Sequence, residues 1–138
     1  MQYVSALRTL VVQSSMLFFR LQSTCRALGA HLAEILTRED NAYVEAIMFE
    51  HPGVDDIWLG ATDLMTEGKW FWATSDVALD DGFTSWQAGQ PDNHYHRGAI
   101  KENCLSLRFD FRHWHDDICD NKHSFICQKP LNSVIIGK

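Results

Sequence analysis

Apolar positions recur at helical spacing only in the first third of the chain. In "RLQSTCRALGAHLAEI", Leu21, Cys25 and Leu28 share one helical face, and Gly29 is placed to end that helix. "HLAEI" then reads as a short strand. "TREDNAYVEAIMFEHPG" predicts a second helix, with Thr37 as N-cap and acidic residues in the first turn. Val44, Ile47 and Met48 form its apolar face, and His51-Pro52-Gly53 stops it. After that the pattern changes. "DIWLGATD" and "GKWFWATS" predict short strands, the second with aromatics on both faces. From Asp76 to Gly98 there is little periodicity and much turn chemistry. "CLSLRF" and "HSFICQ" then alternate as strands do. Two helices followed by short strands around one long irregular loop predict an α+β domain, and a loop of that length usually carries function.

Composition narrows the choice. The 138 residues suit one domain, and 46% apolar residues suffice for a core. Neither repeats nor linkers divide the chain. With 12 basic and 18 acidic residues the net charge is −6, which argues against nucleic acid as the main partner. Four cysteines, Cys25, Cys104, Cys119 and Cys127, predict two disulfides and therefore a secreted protein, with three pairings open. No apolar run is long enough to span a membrane. Residues 1–16 do not form a convincing signal peptide, because Gln13, Ser14 and Ser15 break the apolar run. They are left unassigned, ahead of a domain at residues 17–130 and a tail at 131–138.

The chemistry gathers in "GQPDNHYHRGAIKENC", residues 89–104. A calcium site needs oxygen ligands converging from separate parts of a chain. Gln90 offers an amide oxygen and Asp92 a carboxylate, on either side of Pro91. Glu102 precedes Cys104, and Asp116 precedes Cys119. A Cys104–Cys119 bridge would bring all four towards one point. "HYH" and "HWH" each place two histidines at i and i+2, so His113, His115 and Asp116 are also a candidate zinc set, ranked behind calcium because the neighbouring ligands are oxygens.

These segments together resemble a C-type lectin domain. The motifs that carry the resemblance are "CRALGAHLAEI", "WLGATD", "EGKWFW", W-x-x-G-Q-P-D-N at residues 86–93, "ENC", "WHDDIC" and "FICQ". They run in order from about Phe18 to Gln128. The resemblance implies a double-loop α+β fold with neighbouring termini and with disulfides Cys25–Cys127 and Cys104–Cys119. It implies structural roles for Trp58, Gly60, Trp70, Trp72 and Trp114. It implies Ca²⁺ held by Gln90, Asp92, Glu102 and Asp116, and a Q-P-D preference for galactose-type sugars, with the ion shared between protein and sugar hydroxyls. The proline of that motif is usually cis in the family. The sugar-binding set becomes Gln90, Asp92, His94, Tyr95, Glu102 and His115, with His94 or Tyr95 stacking on the apolar face of galactose. A second Ca²⁺ would use Asp63, Glu67, Asn93, Glu102 and Asn103.

Two departures from the family pattern stand out. His115 replaces the usual Asn of "WND", and imidazole suits Ca²⁺ poorly. It is read as a sugar-contacting residue beside an otherwise intact ligand set, with a calcium-independent, protein-binding domain as the alternative. Residues 1–16 also lack the aromatic first strand of the family. The expected function is calcium-dependent binding of glycans with terminal galactose-type sugars, without enzymatic activity. One such site would bind one sugar at about millimolar affinity, so an oligomer or a multivalent target is expected. Insect secreted lectins share the overall look.

Overall fold

The computed structural model describes residues 7–16, 18–92, 101–108, 110 and 112–130. Strand β1 (Leu7–Met16) leads into helix α1 (Phe18–Ala27), and a two-residue strand β2 (His31–Leu32) follows. Helix α2 (Arg38–Phe49) precedes β3 (Asp56–Thr62) and the short β4 (Phe71–Trp72). A 3-10 turn at Leu79–Asp81 is then followed by β5 (Glu102–Arg108), β6 (His113–Ile118) and β7 (His123–Pro130).

The helices form for the reasons read from the sequence. Phe18, Leu21 and Cys25 are the buried stripe of α1, while Leu28 lies beyond its end and is exposed. At the start of α2, Thr37 accepts from the Asp40 amide at 3.0 Å and Asp40 returns a bond to the Thr37 amide at 3.2 Å, a complete capping box. Val44, Ile47 and Met48 are buried.

The sheet runs β1-β7-β3-β5-β6, with β2 paired to β7 and β4 to β3. Only the β3–β7 pair is parallel among these. Strand β1 corrects the reading of residues 1–16: Leu7 to Val12 pair with Pro130 to Phe125 of β7. No aromatic side chain is needed for this, because a ladder is backbone pairing and β7 supplies the partner groups. The same pairing brings the first and last described strands together. The predicted strands at "HLAEI" and "GKWFWATS" shrink to two residues each.

Two buried clusters flank the sheet. One packs α2 side chains and Ile57, Leu59, Leu105 and Leu107 against Trp70, Trp72 and Trp114. The other joins Phe18, Leu21, Trp58 and Phe125 to both disulfides, Cys25–Cys127 and Cys104–Cys119. Gly60 lets β3 pass close to β2, since a Cβ there would stand 3.1 Å from the Leu32 carbonyl oxygen and 3.2 Å from that of Ala33, and the backbone would have to give by a few tenths of an ångström.

Candidate functional site

The candidate site is built at one end of the β5–β6 pair. The register runs evenly from Arg108↔His113 to Cys104↔Asp117, then slips by one so that Glu102 opposes Ile118. Asn103 is the extra residue of this bulge. Opposed residues of an antiparallel pair share a face, as do residues two apart. An even register would have set Asn103 on the face of Asp116. The bulge sets Glu102 there and frees Asn103 to turn towards the loop after β3.

The third element is the long loop, which is pinned to β6 by its backbone. The Trp114 amide donates to the Ser85 carbonyl at 2.8 Å, and the Gln87 amide donates to the Trp114 carbonyl at 2.9 Å. Trp86 packs edge-on against Trp70 and Trp114, with ring centroids 5.2 and 5.9 Å apart, and Trp72 meets Trp114 at 5.6 Å. This stack of indoles is the foundation of the loop. Trp86 was not singled out from the sequence, although "W-x-x-G-Q-P-D" contains it. The Gln90 amide closes a turn onto the Gln87 carbonyl at 2.8 Å, and the Gln90–Pro91 bond is cis. The Asp92 amide then donates to Asp116 Oδ1 at 3.1 Å.

Asp92, Glu102 and Asp116 therefore converge, each offering a carboxylate oxygen within 4.8 Å of the others. Asp116 is buried, Glu102 half-buried and Asp92 exposed, so the cluster opens to solvent on one side. Gln90 joins them through its side chain: Nε2 donates to Asp92 Oδ2 at 3.1 Å, while Oε1 is shielded from solvent and accepts no hydrogen bond among the described residues. A buried amide oxygen without a donor, beside three carboxylates, is the chemistry of a hard-cation site. The residues present fit Ca²⁺.

His115 lies on β6 between Trp114 and Asp116, opposite Ser106, with only 8% of its surface exposed. It does not belong to the carboxylate cluster. Burial, together with the Arg108 guanidinium, holds its imidazole below the usual range, against the pull of Asp117 and Asp92. The zinc set suggested by "HWH" does not form among the described residues, and His113 instead meets the Ser85 hydroxyl at 3.3 Å.

Three of the second-ion candidates come together as well. Asp63 Oδ2 accepts from the Gly68 amide at 2.9 Å, and the Asp63 amide donates to the Asn103 carbonyl at 3.2 Å. The Asn103 amide nitrogen, turned towards the carboxylates, donates to Asp63 Oδ1 at 2.9 Å and to Glu67 Oε1 at 3.1 Å. Burial, then hydrogen bonding to and repulsion from Glu67, pushes the Asp63 carboxyl up to about 7. Asn93, His94 and Tyr95 lie outside the described residues.

A clamp that the sequence did not suggest holds the other face of β6. Asp117 Oδ2 bonds His123 Nε2 at 2.7 Å, and its Oδ1 accepts from the Ile118 amide and from Asn121 Nδ2. Burial raises the Asp117 carboxyl, but His123 and these donors outweigh it and leave it below the ordinary carboxylate range. Asp117 opposes Cys104, whose disulfide partner is Cys119, so clamp and disulfide fix the same end of the β5–β6 pair.

A family model for the Lectin C-type domain matches residues 14–129. The chain belongs to the C-type lectin domain family. Its members share a non-enzymatic fold that generally binds carbohydrate. Among relatives of this C-type lectin domain, perlucin of Haliotis laevigata is 36% identical over 107 residues, covering 76% of this chain and 64% of perlucin. The galactose-specific lectin nattectin of Thalassophryne nattereri is 29% identical over 111 residues, covering 80% of this chain and 65% of nattectin. The C-type lectin domain thus spans just under two thirds of each. The carbohydrate-recognition domain of the human scavenger receptor C-type lectin superposes with a TM-score of 0.81 at 27% identity, covering 94% of this chain and 95% of that one. A calcium-independent type II antifreeze protein shares the fold at 21% identity, with a TM-score of 0.75 and coverage of 94% of this chain and 90% of that one. Among the described residues, no helix of the C-type lectin domain is long and apolar enough to cross a membrane.

Proposed function

We propose that this domain binds galactose-type sugars through a calcium ion held by Gln90, Asp92, Glu102 and Asp116. The observation that carries the proposal is the convergence of three carboxylates beside the shielded Gln90 Oε1. Ca²⁺ would neutralise the cluster and offer coordination positions to vicinal hydroxyls, which are poor ligands without it. Glu102 and Asp92 would accept the hydroxyl protons, and the Gln90 amide would donate to a hydroxyl oxygen. The Q-P-D order at residues 90–92 supports the galactose class, as does the printed specificity of nattectin. His94 or Tyr95 would stack on the sugar, and His115 would contact it from the edge of the ligand set. The two disulfides fit a secreted protein, and weak single-site affinity fits an oligomer or a multivalent glycan surface.

A second ion at Asp63, Glu67, Asn93 and Asn103 has a higher threshold. Asn103 already donates to both carboxylates, so an ion there must break two hydrogen bonds and turn the amide oxygen inwards.

The alternative is a calcium-independent domain that binds protein, and the buried His115 at the usual Asn position favours it. Passage of the oxidised protein over immobilised galactose separates the two. Retention in calcium with release by chelator supports the sugar reading. Free flow-through of folded protein supports the alternative.

A further inference from the structure

A cavity of about 310 Å³ lies between α1, β2 and the turn that follows β4. It shares no residue with the carboxylate cluster. Its size lies at the low end of small-molecule sites, roughly 300–1,000 Å³. Leu32 and Ala73 give it apolar surface, and Gln22, Arg26, His31 and Thr74 give it polar groups. Among the described residues no acidic side chain lines it, in a chain of net charge −6. We propose that this cavity is a binding site for an anionic sugar, carboxylated or sulfated, whose acid group pairs with Arg26.

The walls are held before any ligand arrives. Gln22 and Arg26 are four residues apart on α1, hence on one face, and the neighbouring Cys25 is tied to Cys127 of β7. His31 pairs with Gln128 across β2 and β7. The turn opposite is fixed by the Ala73 amide on the Gly60 carbonyl at 2.8 Å. It is fixed again by the Thr74 and Ser75 amides on Glu34 Oε2, at 2.7 and 3.2 Å. Glu34 is thereby committed to the turn and lies outside the lining.

The polar groups are available. Among the described residues the side chains of Gln22, Arg26 and Thr74 have no hydrogen-bonding or ionic partner. His31 Nδ1 lies 3.0 Å from the Leu32 carbonyl, which can only accept, so Nδ1 is the donor of that bond and Nε2 is left for a ligand. The set therefore offers a cation for a carboxylate or sulfate, a ring nitrogen for a hydroxyl or acid oxygen, and two groups, amide and hydroxyl, that bond either way. A bare inorganic anion would use only part of it. The sugar half of the proposal rests on the carbohydrate-binding nature of the domain, and the anion half does not.

The test is an amide chemical-shift titration of the full chain in chelator, which silences the carboxylate site. The probes are galacturonate, galactose 6-sulfate, neutral galactose and sodium sulfate. Shifts at Gln22, Arg26, His31 and Thr74 are expected with the two acidic sugars, and the stronger of the two identifies the source of the charge. Arg26→Ala should weaken both at least tenfold, and Thr74→Ala should weaken them about threefold. Arg26 is exposed, so both variants should keep the dispersed spectrum of the fold. Sodium sulfate binding as tightly as the acidic sugars would overturn the sugar assignment. Neutral galactose binding equally well, or an Arg26→Ala effect under twofold, would overturn the role of Arg26. No shifts with any probe would overturn the site.

Discussion

Replacing Asp116 by Asn should stabilise the domain in chelator and remove its response to calcium. Without an ion, the cluster holds carboxylate oxygens within 4.8 Å of one another. Two unit charges at that distance repel by about 3.5 kcal/mol at an effective dielectric of about 20. Solvent reaches exposed Asp92 and half-buried Glu102, so the net relief is roughly 1–3 kcal/mol. Asn at 116 retains an Oδ1 to accept the Asp92 amide, now at 3.1 Å, so the loop keeps its anchor. At about 3–5 °C per kcal/mol for a domain of this size, the variant should melt roughly 3–15 °C higher in chelator. The parent should gain about 2.7 kcal/mol from calcium at a hundred times its Kd, and the variant close to nothing. Differential scanning calorimetry with and without calcium reads both effects. A variant that melts lower than the parent in chelator, or keeps the calcium shift, would refute the argument that this cluster is a charge-strained ion site.

Calcium titration of His115→Asn should show equal or tighter binding, because Asn supplies the oxygen that imidazole lacks, and weaker binding would contradict the assigned role of His115. Replacing Cys104 and Cys119 together by Ser opens a bridge spanning 15 positions and should cost about 3 kcal/mol in denaturant unfolding, with loss of calcium affinity as Glu102 and Asp116 loosen. Trp114→Ala should cost about 3–5 kcal/mol, since the indole is fully buried and supports Trp72, Phe83 and Trp86. Asp63 titrates near 7 in the fold against 3.8 in the open chain, so it favours folding at low pH, and that contribution is lost as pH rises between these values. Asp63→Asn should flatten the corresponding fall in stability measured in chelator, and an unchanged slope would remove Asp63 as its cause.

The helices and most strands were legible because their signals are local. Thr37 with Asp40 caps α2 by side chains three residues apart, and the alternation of "CLSLRF" needs only its own pleat. Strand β6 was not legible. Its residues Trp114 to Asp117 are all buried, three of them polar, so no alternation of apolar and polar marks it. Strand β1 escaped for a related reason, since its partner β7 lies over a hundred residues away. The ligand candidates were named from their types and from the family motifs, and the disulfides fell in the pairing that the resemblance implied. What the sequence alone determined is therefore a cysteine-bridged α+β domain carrying an amide and three carboxylates of calcium-binding type. That Asp92, Glu102 and Asp116 meet at one point was decided by the tertiary structure. The bulge at Asn103 rotates Glu102 onto the face of Asp116, and the Trp86–Trp114 contact sets the loop beside it. Neither depends on nearest neighbours in the chain. A one-residue slip in register changes which side chain faces the site, and only packing of distant strands and indoles selects it.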